Sequence, residues 1–161
     1  MKLTSKSLLV LGLLAGMAFS APGAVGTSSG QFVVNGKSVT LVYAAVKATK
    51  DSFDSSKTGY TLILSDLKGF PDKYGSLDKV TAGTLHYVEL TLGHDKSVYG
   101  AILHHNGFKN NTVTSAGSTK FEATKFGPDA LAGKVSMPPK TFEGATYHFT
   151  ATFTAPVEKE K

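Results

Sequence analysis

Five histidines, His86, His94, His104, His105 and His148, are the side chains of this sequence best suited to chemistry near neutral pH. Four of them fall in a segment that reads as a β-hairpin, Thr84 to Leu92 and Ser97 to His105 around Gly93-His94-Asp95-Lys96. Pairing Leu92 with Ser97 puts His86, Val88, Leu90, Tyr99, Ala101 and Leu103 on one face, and Leu85, Tyr87, Glu89, Ile102 and His104 on the other. His86 and His105 then share a face of neighbouring strands on a diagonal, with backbones ~7–8 Å apart. Two imidazoles so placed can meet at a zinc or copper ion, which makes His86 and His105 the candidate metal pair. A catalytic zinc site takes three protein ligands and an outer shell. The third is not evident, because His94 sits at the far end of the hairpin and His104 points to the opposite face unless a bulge intervenes near Asn106.

The second face of that hairpin mixes apolar residues with a carboxylate and an imidazole. Tyr87, Glu89 and His104 are therefore candidate ligand-binding residues. Phe70 and Tyr74 join them from Asp66 to Ala82, the longest stretch without strand character; connections in compact domains are mostly ~4–6 residues, and longer ones often carry function. The same aromatic residues could instead fold back as a plug on the sheet.

Other chemistries find less support. Gly26-Thr27-Ser28-Ser29-Gly30 has the spacing of a nucleophile elbow, but an elbow requires a strand before it and a helix after it, and here a small-residue leader precedes and a hairpin follows. Glu89 would need a partner carboxylate at a set distance for glycoside hydrolysis, and Asp66 or Asp78 would supply it only by chance. Asp51 and Asp54 lack calcium-loop spacing and read as a solvated loop. No P-loop or Gly-x-Gly-x-x-Gly element follows a strand. Threonines at 146, 148 excepted, 150, 152 and 154 make a water-facing strand side rather than an ice-binding array, since no matching threonine strand lies beside them. No cofactor is implied.

The elements that must position these residues are strands. Gly30 to Lys47 is the organising stretch: two β-favouring arms flank Asn35-Gly36, a pair suited to a type I′ turn. Pairing Val34 with Lys37 sets Phe32 opposite Val39 and Gly30 opposite Leu41, and puts Phe32, Val39, Leu41 and Tyr43 on one face. Val42, Ala44 and Val46 lie on the other, so the second arm reads as apolar on both sides, as in a buried strand of a two-layer domain. Further strands are expected at Tyr60 to Ser65, Lys120 to Phe126, Lys134 to Met137 (stopped by Pro138-Pro139) and Thr146 to Ala155. The last alternates most strictly, with Tyr147, Phe149, Ala151 and Phe153 inward. Asn106 to Ser118 is expected as a mobile surface loop, and Pro128 to Ala132 as a helical turn. Eight or nine strands with hairpin connections predict a single-domain antiparallel β-sandwich, with a closed barrel as the alternative.

Composition bounds the setting. Lys2 and Lys6 precede an apolar run, Leu8 to Phe19, and Ala18-Phe19-Ser20 offers a cleavage site, so residues 1–20 read as a secretory signal peptide. The run is well short of the ~20 residues that span a bilayer, which leaves no membrane anchor after cleavage. Residues 21–29 read as a flexible leader, 30–157 as the β domain and 158–161 as a charged tail. There is no cysteine, so no disulfide supports the fold outside the cytosol. All 17 of the strongly basic residues are lysine. The absence of arginine removes the planar fork that reads phosphates and guanine edges, and argues against nucleic acid as a partner.

The sequence thus predicts a periplasmic or extracellular, non-enzymatic binding or protein-interaction domain, with an unknown protein or small molecule as partner. Residues 66–82 and 106–118 would present its surface. Two alternatives stand beside it: a carrier of a small apolar ligand in an inter-sheet or barrel cavity, and a metal-dependent site around His86 and His105.

Overall fold

The computed structural model describes residues 26–67, 83–115 and 117–158. Over these residues the chain is all-β, with nine strands and no helix. The strands are β1 (Gly26–Val34), β2 (Lys37–Lys50), β3 (Thr58–Ser65), β4 (Tyr87–Leu92), β5 (Val98–His104), β6 (Thr112–Ser115), β7 (Lys120–Phe126), β8 (Ala130–Phe142) and β9 (Ala145–Glu158). They form one sheet in the order β6-β5-β4-β3-β2-β1-β9-β8-β7, antiparallel throughout except for a short parallel contact between β2 and β9. The edge strands β6 and β7 do not pair, so the sheet is not a closed barrel.

The β1–β2 hairpin has the expected register, Val34 with Lys37, Phe32 with Val39 and Gly30 with Leu41. Asn35 and Gly36 both take positive φ, 50° and 76°, the pair of angles that a type I′ turn demands. Farther along, three residues of β1 span the space of two in β2 between Thr27 and Gly30. This bulge changes which side of β2 faces inward. Leu41 is buried, Val42 is 37% exposed, and Ala44 and Val46 are buried in turn. The apolar character on both sides of β2 therefore reflects a switch of face halfway along, not burial of both faces at once, and Tyr43 is displaced from the core face to a half-buried position. Gly26–Ser29, expected as leader, forms the start of β1 and pairs with β9. Ser28 of the elbow-like motif sits in mid-strand opposite Phe153, with no sharp turn to present it.

β9 alternates as the sequence requires, Tyr147, Phe149, Ala151 and Phe153 all being buried. It lies in the middle of the sheet between β1 and β8. At Gly30, β1 crosses β9 so closely that a Cβ would clash with Ala151 and the Thr150 carbonyl. β8 is much longer than expected and runs through Pro138-Pro139, which are accommodated by a bulge between Met137 and Lys140. In place of a helical turn, residues 127–129 form a bend and Ala130 to Ala132 already belong to β8.

The sheet curls so that its two halves meet across an apolar core. Tyr60 of β3 packs edge-on against Phe126 of β7 at 5.1 Å between centroids, and Lys140 of β8 reaches Ser115 of β6 at 3.4 Å. Phe32, Phe149, Leu41, Leu62, Leu64, Leu90, Leu103 and Leu131 are fully buried between these halves. The signal-peptide reading of 1–20 and the connecting residues 68–82 lie outside the described residues.

Candidate functional site

The β4–β5 hairpin sets the geometry of the histidines. Its strands pair two residues out of the expected register, Leu90 with Ala101, Val88 with Leu103 and Tyr87 with His104: Leu92 pairs with Val98 instead of Ser97, and a bulge between Thr91 and Leu92 adds the second residue. A slip of two keeps every side chain on its face. It also brings His86 level with His105 instead of diagonal to it, and their rings stand 4.8 Å apart, tilted by 54°. Both residues are buried.

Each imidazole is fixed by a partner on its Nδ1. His86 Nδ1–H donates to Asp66 Oδ2 at 2.6 Å, while Asp66 Oδ1 accepts the His86 backbone N–H at 3.0 Å. His105 Nδ1 instead accepts the Gly107 backbone N–H at 2.9 Å. Assigned from these partners, the neutral tautomers are opposite. In those neutral forms the His86 lone pair is on Nε2, and the His105 hydrogen is there. Among the described residues neither buried Nε2 has a hydrogen-bond partner. The Lys37 carbonyl faces the His105 ring and favours its N–H, but not at a distance and angle that close a bond. The pair so arranged offers a lone pair beside an N–H, a donor and an acceptor, where a metal chelate needs two lone pairs. Among the described residues no three His, Cys, Asp or Glu side chains gather around a common point.

Burial governs the electrostatics here. Loss of water pushes the His105 imidazole down to about 4, and the nearby His86 and Lys37 push in the same direction. The neutral ring packs edge-on against Phe32 at 5.0 Å.

The connection after β5 is the other half of this end of the sheet. Residues 106–118 were expected to form a mobile surface loop. They hold strand β6 and a tight turn in which His105 N–H donates to the Asn111 carbonyl, and Phe108 N–H to the His105 carbonyl. Phe108 is buried and packs on Phe32 and Tyr147, at 6.2 and 5.3 Å between centroids. Asn35 links the neighbouring turns: its Nδ2 donates to the Gly107 carbonyl and its Oδ1 accepts the Thr146 N–H. The sequence shows Asn35 as a turn former only, and nothing local marks Phe108 as a plug.

The proposed ligand-binding set lies behind this pair, on the opposite face of the same hairpin. Tyr87 and His104 stack at 4.0 Å, and His104 Nδ1 is hydrogen-bonded to Thr112 Oγ1 at 2.7 Å. Glu89 follows two residues along on the same side, opposite Ile63 and Ile102. Burial raises the Glu89 carboxyl, lowers His104 to about 4 and, with Glu89, pushes the Tyr87 phenol up to about 12. The structure thus brings Tyr87, Glu89 and His104 together. Phe70 and Tyr74 lie outside the described residues.

A second histidine–aspartate pair occupies the other end of the sheet. Asp51, expected in a solvated loop, is 4% exposed. Its carboxylate accepts the backbone N–H groups of Phe53, Asp54 and His94, and the His94 ring at 2.9 Å; the Tyr99 hydroxyl stands at 3.3 Å. The backbone donors of His94 and Phe53 hold this carboxyl far below the usual carboxylate range. Asp51 thereby ties the β2–β3 turn to the β4–β5 turn.

A shallow groove of about 400 Å³ opens on the outward side of β7, β8 and β9, between Glu122, Lys134, Thr152 and Thr154. Among the described residues no helix is long and apolar enough to cross a membrane. No protein-family model matches the chain, and no curated protein or solved structure matches it either, so the reading of this site rests on its own geometry.

Proposed function

We propose that the chain is an exported, non-enzymatic binding or interaction domain, and that its recognition end is the one carrying His86 and His105. The observation that carries this reading is the pair of buried imidazole Nε2 atoms that have no hydrogen-bond partner among the described residues. Buried polar groups are nearly always satisfied, and exceptions gather where function needs them. Export is supported by Lys2 and Lys6, the apolar run to Phe19 and the absence of cysteine. We also read the curled sheet as a two-layer sandwich, on the strength of the Tyr60–Phe126 and Lys140–Ser115 contacts between its halves.

The test compares the full chain with a variant whose residues 68–82 are replaced by a Gly-Ser linker. Both are titrated by NMR with fractionated material from the compartment to which the chain is exported. Shifts centred on residues 83–86 and 105–111 in the full chain, and weakened in the variant, support the reading. Shifts centred on β7 and β8, or none at any fraction, overturn it. Export is tested separately by N-terminal sequencing of the mature product, where an intact Met1 removes that part.

A further inference from the structure

We infer that the 105–111 turn is a latch that acid releases, closed only while the His105 ring is neutral. Gly107 N–H donates to His105 Nδ1 at 2.9 Å, so that nitrogen must keep its lone pair. Protonation adds a hydrogen there and sets donor against donor. Turning the ring over does not help, since it brings a C–H to the same place.

The groups facing the ring do not compensate. The His86 imidazole, on the stretch leading into β4, stands 4.8 Å away and is engaged through its own N–H. Lys37, at the start of β2, adds positive charge, and its carbonyl, which favours the protonated ring, faces a side that already carries hydrogen in the neutral tautomer and does nothing for Nδ1. Asp66, just after β3, is the one carboxylate among the described residues acting on the ring, and it is already shared by the His86 ring and main chain. Phe32 and Phe108 supply apolar surface. His104, next in the chain, is directed to the far side of the sheet, against Tyr87 and Thr112.

An opened turn lets the imidazole meet water and protonate near its ordinary value, ~6.5. The closed turn resists protonation down to about 4. Opening therefore takes up a proton between these two limits and is favoured as pH falls through them. Its structural consequence reaches beyond the turn. Phe108 leaves its contacts with Phe32 and Tyr147, and the Gly107 carbonyl releases Asn35, which also holds Thr146. The inference concerns the same end of the sheet as the proposed recognition site but does not depend on anything binding there.

Amide hydrogen exchange tests it in the full chain. Protection factors at Gly107 and Phe108 should fall by roughly 30-fold from pH 7.5 to pH 5 while staying below those of Phe149 and Ala151 in β9 at each pH, the mark of a local opening. Unchanged protection at Gly107 over this range overturns the latch, and so does protection at Gly107 equal to that of Ala151 at each pH, which would mean that the turn opens only with the whole fold. In His105→Asn the side-chain oxygen replaces Nδ1 as acceptor and does not titrate, so Gly107 protection should become independent of pH. Should that variant fail to fold, NMR titration of the His105 ring in the unaltered chain decides. Protonation well below the ordinary value together with loss of Gly107 protection supports the latch. Protonation at the ordinary value with protection intact overturns it.

Discussion

The two histidine–aspartate pairs, at opposite ends of the same sheet, use the same two side chains in opposite ways. In the pair formed by Asp51 and His94 the carboxylate is the buried partner, and it is saturated by three backbone N–H groups as well as the ring. His94 is the peripheral partner, 36% exposed at its side chain. In the pair formed by Asp66 and His86 the imidazole is buried and the carboxylate is the more exposed of the two. There one nitrogen is satisfied and the other is left open. A hydrogen-bonded pair is thus not a function in itself. A saturated one fixes turns; an unsaturated one keeps capacity in reserve for a proton, a water molecule or a ligand.

The comparison can be broken most forcefully by removing what surrounds the unsaturated pair. Phe108→Ala empties the contacts with Phe32, His105 and Tyr147 and should cost about 3–5 kcal/mol in chemical denaturation. A loss below ~1 kcal/mol would show that the turn is not a plug. Next in size comes Asp51→Ala, which strands the N–H groups of Phe53, Asp54 and His94 in a buried place. Its thermal midpoint should fall by roughly 10 °C, and a fall no larger than that of Asp66→Ala would erase the distinction between the two ends.

Acid provides the third comparison. His104 and His105 both have folded values lowered to about 4 by burial. The unfolded chain therefore binds more protons below ~6.5, and stability is lost as pH falls from there toward 4. For His105 the loss is on the order of 2–3 kcal/mol across the window. Asp51 acts later, because a carboxylate with a lowered value keeps its contribution until the pH drops below ~3.9. Denaturation midpoints that stay level between pH 7 and 4.5 would contradict this order. The smallest effect belongs to His94→Ala, about 1 kcal/mol, since three backbone donors remain on Asp51 when the ring is gone. A larger loss would mean that the ring, not the backbone, holds the turns together.

What was legible in the sequence is what local rules determine. Asn35-Gly36 fixes the register of the first hairpin because only residues tolerant of positive φ fit its turn, and the alternation through Tyr147 to Phe153 identifies β9 because one side must be dry. Faces survived even where register did not. A turn one residue longer than expected and the bulge at Thr91 together slip β5 by two residues against β4, which leaves His86 and His105 on the expected side and moves them closer together. Long-range contacts were beyond local reading. Phe108 is a plug because Phe32 and Tyr147, distant in sequence, form its socket. Asp51 is buried because the β4–β5 turn returns to meet it. Pro138-Pro139 failed as a stop because an outward bulge spares the strand from needing their missing N–H groups.

The position of β9 has a consequence for how the protein is made. The first strand lies between the second and the ninth, so the middle of the sheet stays unfilled until residues 145–158 have been synthesised. Pairings of such sequence separation form slowly, and their apolar strands are exposed in the interval. A polypeptide built this way remains threadable until its final segment arrives, a property that would suit the export proposed above.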